Sequence, residues 1–260
     1  MFYFTTFKSN LLESSTAFKI NLMKNLAELF LSIVFPPKCL VCGRKHGGKT
    51  AVLICENCFK SIGINSSFSC PECGKRIYDY KKFCAHEPRF LLLAAVSYKN
   101  PAARELIHAL KYQRLKTAAG PLAKILKISL EENPWVKTAN FNNFLALPIP
   151  LHPKKEKARG FNQSLLILKK LSELITLPEI QDNVLIKVRN TNSQIELADY
   201  KERTENVSGS FEILEKKKIA GKNILLLDDV FTSGATIKEA ARVLKEAGAK
   251  KIIGLVVAKA

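Results

Sequence analysis

Residues Lys222 to Ala247 read KNILLLDDVFTSGATIKEAARVLKEA, and the fold class follows from how this stretch divides. Ile224 to Leu227 is an uninterrupted apolar run, short enough for a buried parallel strand and too short for a helix. Asp228 and Asp229 end that run. Thr232-Ser233-Gly234-Ala235-Thr236 then packs hydroxyls and a glycine together, and Ile237, Ala240, Ala241, Leu244 and Ala247 recur at helical spacing. A helix start offers unpaired backbone N–H groups and the positive end of the peptide dipole, so a phosphate fits there, with Thr and Ser as extra donors and Gly234 letting the backbone approach. Two carboxylates cannot grasp the same phosphate; they suit hydroxyls or a metal ion. The stretch therefore predicts a ligand with a phosphate at one end and a diol in the middle, as in ribose 5-phosphate. An ordinary strand end with an N-cap at Thr232 or Ser233 is the plainer alternative, but adjacent aspartates behind a buried strand are costly without a partner.

The run Leu226 to Thr236 resembles the phosphoribosyl-pyrophosphate signature of type I phosphoribosyltransferases. The resemblance implies that Asp228 and Asp229 meet the ribose 2- and 3-hydroxyls and that Thr232, Ser233, Gly234, Ala235 and Thr236 cradle the 5-phosphate.

With 260 residues, 47% hydrophobic and 25% charged, the chain has room for one sizeable domain and a small one, both globular. The formal charge of +18 suits polyanionic partners, and equally suits a lysine-rich surface habit. All seven cysteines lie between Cys39 and Cys84. Without a secretory signal, pairs such as Cys39-Leu-Val-Cys42, Cys55-Glu-Asn-Cys58 and Cys70-Pro-Glu-Cys73 read as zinc knuckles and not as disulfides. Two knuckles complete a tetrahedral site. The simplest pairing joins Cys39, Cys42, Cys55 and Cys58 around one ion and Cys70, Cys73, Cys84 and His86 around another; an interleaved pairing also fits the spacing. A fourth C-x-x-C would need cysteine at position 87, where Glu87 stands, so His86 is the expected ligand and Glu87 the fallback. One or two structural zinc ions follow.

Inside this region Gly43 to Thr50 satisfies the nucleotide-binding pattern G-x-x-x-x-G-K-[ST] letter for letter. A P-loop must follow a buried strand and open a helix, whereas this one starts within a cysteine knuckle, so it is rejected. No apolar run approaches the ~18 residues of a membrane span. A cytoplasmic location is expected.

Residues 1–22 lack a sustained period and are expected to be a non-native or disordered extension, with Met23 as the natural start. An amphipathic helix is expected over 23–36, a zinc-ribbon module over 37–90 and the larger domain over 91–260. Strands are predicted near 92–98, 144–147, 184–188, 224–228 and 251–258, with helices between them. This is a doubly wound parallel sheet of α/β class, with ligand sites at the strands' carboxyl ends. The second such site is Pro148 to Gln163, a loop fixed by prolines and carrying Lys154, Lys155, Lys157 and Arg159, cations suited to a pyrophosphate leaving group. Arg189 to Gly209 is long, polar and poorly periodic: a lid over a phosphate site or a surface connection.

P-x-P-L-H at Pro148 to His152, followed by Arg159-Gly-Phe-Asn-Gln163, resembles the ComF family of bacterial competence-associated proteins, which join a cysteine-rich zinc module to a phosphoribosyltransferase-like domain. Leu106-Ile-x-x-Leu-Lys111-Tyr112 agrees, as does Arg189 to Phe211 with Gln194, Leu197, Arg203, Asn206 and Gly209. The resemblance covers nearly everything from Met23 onward and departs at His86 and Glu87. It implies phosphoribosyl pyrophosphate and Mg²⁺ as ligands, a mobile loop from which Arg203 reaches pyrophosphate, and a part in DNA uptake. If the chain is an enzyme, a nitrogen nucleophile displaces pyrophosphate at the anomeric carbon. Asp228 and Asp229 would then position ribose, with Lys157 and Arg159 neutralising the leaving group. The rival expectation is a transferase fold without chemistry that serves competence proteins by binding single-stranded DNA. Basic clusters at 154–159, 169–170 and 216–218 favour it, and the single tryptophan does not.

Overall fold

The computed structural model describes residues 38–45, 53–77, 85–86, 88–138, 143–191 and 200–260, with the backbone alone for 200–203. The expected extension over 1–22, the helix over 23–36, Cys84 and Glu87 lie outside the described residues. The chain forms two compact units, residues 1–56 and 57–260.

In the first unit, a backbone turn carries Cys39 and Cys42. Cys39 N–H donates to Arg44 O at 3.0 Å, Gly43 N–H donates to Cys39 O at 2.9 Å, and Lys38 pairs with Lys45 in an antiparallel bridge. Gly43 therefore sits in a knuckle turn, as the rejection of the P-loop requires.

The second unit is organised by β3 (Leu91–Ser97), β4 (Phe144–Pro148), β5 (Glu179–Ile180), β8 (Asn223–Phe231) and β9 (Ile252–Lys259). These five run parallel in the order β3-β9-β8-β4-β5. The apolar run of β8 is buried along its length, as a strand covered on both faces demands. Alternate residues serve opposite faces. Ile224 and Leu226 join Ile237, Ala240, Ala241 and Leu244 of the helix Ala235–Glu246 in one core, together with Leu185 and Phe211. Helices Ala119–Glu132 and Gln163–Ser172 pack on the sheet as well, the first against β3 and β9 and the second against β8 and β4.

Three local features differ from the sequence expectation. The run near 184–188 is not a strand of the parallel sheet. It forms β6 (Leu185–Lys187), which pairs antiparallel with β7 (Phe211–Ile213) in a separate two-stranded sheet, and the short β5 occupies the parallel edge instead. Three apolar residues in a row specify burial but no partner. Second, β8 continues past the aspartates to Phe231, because Val230 and Phe231 stay in register with Ala258 and Lys259. Third, the expected loop after β4 contains a helix, Pro153–Arg159. His152 caps it by accepting from Lys154 N–H, Pro153 opens it, and Gly160 closes it at φ 86.

The second cysteine turn belongs to this unit. β1 (Phe68–Ser69) and β2 (Arg76–Ile77) flank Cys70 to Gly74, and β1 pairs antiparallel with β3, so the hairpin extends the main sheet as its outer strands. Asn65 reinforces the junction: its backbone N–H donates to Ala95 O at 2.7 Å and its side chain donates to Ala94 O at 2.9 Å.

Candidate functional site: an acidic pair before a glycine-bent loop

Asp228 and Asp229 lie within β8, 7% and 2% exposed. Two carboxylates buried side by side repel and lose hydration, so each needs compensation. Asp229 receives it from Lys111, the last residue of the helix Pro101–Lys111, whose Nζ lies 2.7 Å from Oδ1. Burial works against the Lys111 charge, and the Asp229 carboxylate with its hydrogen bond outweighs burial, leaving the ammonium more firmly protonated than an ordinary lysine. Asp228 Oδ1 accepts from Ser164 Oγ at 3.0 Å and from Asp229 N–H at 2.9 Å. Burial and then the Asp229 charge push the Asp228 carboxyl up to about 7, against the pull of Lys111 and these two hydrogen bonds. Asp229 Oδ2 is buried, and among the described residues it has no hydrogen-bond partner. A buried carboxylate oxygen left open in this way is a place for a ligand hydroxyl or a cation.

Beyond Phe231, Thr232 is exposed, Ser233 and Thr236 are half-buried, and Gly234 and Ala235 are buried. Gly234 caps the helix Ala235–Glu246 at φ 77. A Cβ there would stand 2.3 Å from Cζ of Phe231, so the position excludes a side chain on two separate grounds. Ala235 N–H donates to Ser233 Oγ at 3.3 Å. This is a twelve-residue helix opening directly behind the acidic pair, as the sequence pattern predicts.

The segment after β4 is tied to the same place. Ile149 N–H donates to Leu227 O at 2.8 Å, Asn162 donates from Nδ2 to Ile149 O at 3.0 Å, and Ser164 reaches Asp228. Asn162 also caps the helix Gln163–Ser172, accepting from Ser164 N–H at 2.9 Å. On the preceding helix Lys157 is exposed, while Arg159 is half-buried and donates to Gln163 Oε1. Arg203 lies in the helix Tyr200–Val207, and its side chain is outside the described residues.

Three participants carry no role in the sequence reading. Lys111 and Ser164 sit on helices whose apolar spacing says nothing of which polar residue faces a distant strand. The third, Lys187 on β6, is brought down to about 8 by burial and by the Lys155 charge, with Asp228 pulling the other way. Its ammonium lies 5.2 Å from the centre of the Phe211 ring.

Zinc is tested by the sulfur geometry. Cys39, Cys42, Cys55 and Cys58 place their sulfurs within 4.8 Å of one another, and Cys42 and Cys55 are 3.8 Å apart. A tetrahedron with Zn–S bonds of about 2.3 Å has edges of about 3.8 Å, so the set fits. Burial opposes ionisation of Cys39, yet N–H groups of Cys42, Cys55 and Val41 bring its thiol down to about 6. The second turn repeats the first: Cys70 N–H donates to Lys75 O and Gly74 N–H to Cys70 O, each at 2.9 Å. N–H groups point at sulfur in both, Val41 to Cys39 and Glu72 to Cys70, each at 3.4 Å. Cys70, Cys73 and His86 converge within the same 4.8 Å. Cys84, the fourth expected ligand, lies outside the described residues.

Among the described residues no helix is long and apolar enough to cross a membrane.

Comparison with known proteins adds two domains and several relatives. Residues 30–86 match the double zinc ribbon domain, and residues 167–260 match the phosphoribosyl transferase domain. The α/β fold is thus of the type I phosphoribosyltransferase kind, with a cysteine-rich zinc-ribbon region before it. The chain is 26% identical over 222 residues to competence protein F of Haemophilus influenzae, covering 83% of this chain and 93% of that one. It is 29% identical over 208 residues to the DNA utilization protein YhgH of Salmonella typhimurium, covering 76% and 87%. It is 37% identical over 107 residues to competence protein ComFC of Bacillus subtilis, covering 41% and 40%.

Proposed function

We propose, for a chain that belongs to the ComF family by its two domains and its competence-protein relatives, that the site at Asp228 and Asp229 binds phosphoribosyl pyrophosphate and that the protein takes part in DNA uptake. The observation that carries the ligand is the buried Oδ2 of Asp229, without a hydrogen-bond partner among the described residues and three positions before a loop whose glycine conformation opens a helix N-terminus. A ribose hydroxyl supplies the missing donor. The 5-phosphate takes the N–H groups and hydroxyls of the Thr232 to Thr236 loop at the positive end of the helix dipole. The pyrophosphate extends toward the segment between Pro153 and Gln163, where Lys157 and Arg159 supply positive charge, with Arg203 a further contact.

Mg²⁺ is part of the reading: the open Asp229 Oδ2 and Asp228 are the hard oxygen donors it takes, and bound there it would neutralise charge on the pyrophosphate. If chemistry occurs, the residues need only position ribose and stabilise an oxocarbenium-like state while a nitrogen nucleophile displaces pyrophosphate; no side chain has to act as nucleophile. The DNA role rests on the relatives' names. Exposed lysines at 154, 157, 169 and 216–218 favour a second reading, in which a catalytically silent fold binds single-stranded DNA or a competence protein.

Calorimetric titration of phosphoribosyl pyrophosphate with Mg²⁺ into the parent and into Asp228→Ala/Asp229→Ala tests the proposal. Binding by the parent alone supports it. Silence from both overturns it, and salt-dependent DNA affinity that survives loss of Asp228 would then favour the second reading.

A further inference from the structure

Glu72 lies between the cysteines of the second knuckle, and its side chain crosses 166 positions of sequence to meet Lys238, Oε2 to Nζ, at 2.7 Å. Lys238 is in the first turn of the helix Ala235–Glu246, and its N–H closes that turn by donating to Gly234 O at 2.8 Å. The ion pair therefore grips the helix at its first turn, directly after the loop. A lysine in the first turn also opposes the helix dipole, and a carboxylate beside it removes that conflict.

A second route joins the same two places. The point where a Cβ of Gly74 would sit is 3.5 Å from Nζ of Lys259, so this ammonium abuts the turn that closes the knuckle. Lys259 Nζ is also 5.9 Å from the centre of the Phe231 ring, and Phe231 pairs with Lys259 across β8 and β9. The same ring fills the space under Gly234. From knuckle to loop the contacts thus run Gly74, Lys259, Phe231, Gly234. The backbone gives a third connection, since β1 and β2 on either side of the knuckle are strands of the sheet that carries β8.

We propose that the Cys70–Gly74 knuckle is the support of the phosphate loop, with Glu72 as its positioning residue, so that filling the second zinc site sets how tightly the Thr232–Thr236 loop holds its anion. Its ligand half rests on the proposed phosphoribosyl pyrophosphate site; the mechanical half does not. The logic is preorganisation: N–H groups held in place before the anion arrives need not be ordered by it. Cys70, Cys73 and His86 hold the turn when metal is bound, the turn fixes the Glu72 backbone, and Glu72 fixes Lys238.

The test uses the full chain, zinc-loaded, as parent, as Glu72→Gln and as Cys73→Ser, with amide hydrogen exchange over residues 232–238 and phosphoribosyl pyrophosphate affinity as readouts. A partly exposed ion pair is worth a modest factor, so Glu72→Gln is expected to speed exchange of these amides about threefold and to weaken binding by a similar factor. Cys73→Ser, with one zinc fewer by metal analysis, is expected to do the same, and adding Glu72→Gln to it should bring little more. The exchanged pair Glu72→Lys/Lys238→Glu should restore slow exchange. Parent-like exchange in Glu72→Gln overturns the inference, and so does faster exchange with unchanged affinity. If the parent binds no phosphoribosyl pyrophosphate yet Glu72→Gln speeds exchange, the ligand assignment falls and the support role stands.

Discussion

Lys111 Nζ and Asp229 Oδ1 stand 2.7 Å apart although 118 residues of chain separate them, and this pair makes the acidic site tenable in the free protein. The lysine ends a helix that an asparagine cap and Pro101 begin: Asn100 Oδ1 accepts from Ala103 N–H at 3.1 Å. One well-defined helix thus delivers one cation to a strand from another part of the fold. Lys111 thus sets its ammonium in direct contact with one of two adjacent carboxylates, the other of which is raised toward neutrality.

Replacing Lys111 should therefore cost more than an ordinary surface lysine. Lys111→Met leaves the Asp229 carboxylate buried without its partner, and unfolding by urea is expected to show a loss of about 3 kcal/mol. Lys111→Met/Asp229→Asn should recover much of that loss, because the uncompensated charge has gone. A single variant as stable as the parent would show that the pair is not formed in solution.

A pH dependence follows from Asp228, whose carboxyl is raised from 3.8 to about 7 by burial and the neighbouring Asp229 charge. The folded protein holds a proton there that the unfolded chain has already released, so this group's contribution to stability is full below pH 4 and is lost as pH rises toward 7. Ligand binding runs the other way, because a ribose hydroxyl donates to the carboxylate and not to the acid. Affinity for phosphoribosyl pyrophosphate is expected to rise with pH up to about 7 and then level. Asp228→Asn should flatten this component, leaving the ligand's own ionisation; an unchanged profile in that variant would assign the dependence elsewhere.

At Gly234 sterics and backbone agree. Gly234→Ala puts a methyl into the Phe231 ring and an L-residue at φ 77, so a loss of about 1–3 kcal/mol in thermal or urea unfolding is expected. Trimming the ring with Phe231→Leu should relieve the clash but not the dihedral. Gly234→Ala/Phe231→Leu is thus expected to recover some stability relative to Gly234→Ala without regaining ligand binding.

These residues show how much was legible beforehand. The run from Ile224 to Ala247 declared itself because each level agreed: a buried apolar strand, two acids, hydroxyls with glycine, and a periodic helix. The paired cysteines did the same through spacing alone. What stayed hidden depended on tertiary reach. Lys111 ends its helix like any basic residue favoured by the dipole, and Ser164 looks like a helix N-terminal serine; neither encodes the strand it will face. Lys187 falls in the run expected as a strand of the parallel sheet, and its electrostatic link to Asp228 depends on β6 pairing with β7, which local pattern does not specify. The helix Pro153–Arg159 carries its boundary signals in the sequence, Pro at its first position and Gly just past its end, but at seven residues with five charges it has no apolar period to set it apart from a proline-bound charged loop.

Zinc removal should affect the two knuckles differently. The first is a turn held by its own backbone bonds and its sulfurs, so a chelator is expected to release the segment 38–58. The stretch leading to the second is stitched elsewhere: Asn65 N–H to Ala95 O at 2.7 Å, Ser129 Oγ to Asn65 O at 2.5 Å, and Asn133 Nδ2 to Ser66 O at 2.5 Å. Those bonds involve no metal ligand. Under a strong chelator the amide of Asn65 should stay protected from hydrogen exchange while those of Cys39 and Gly43 become fast, and the helices around the acidic pair should keep their circular dichroism. Simultaneous loss of protection at Asn65 and at Gly43, with cooperative unfolding of the sheet, would mean that metal holds the whole protein together.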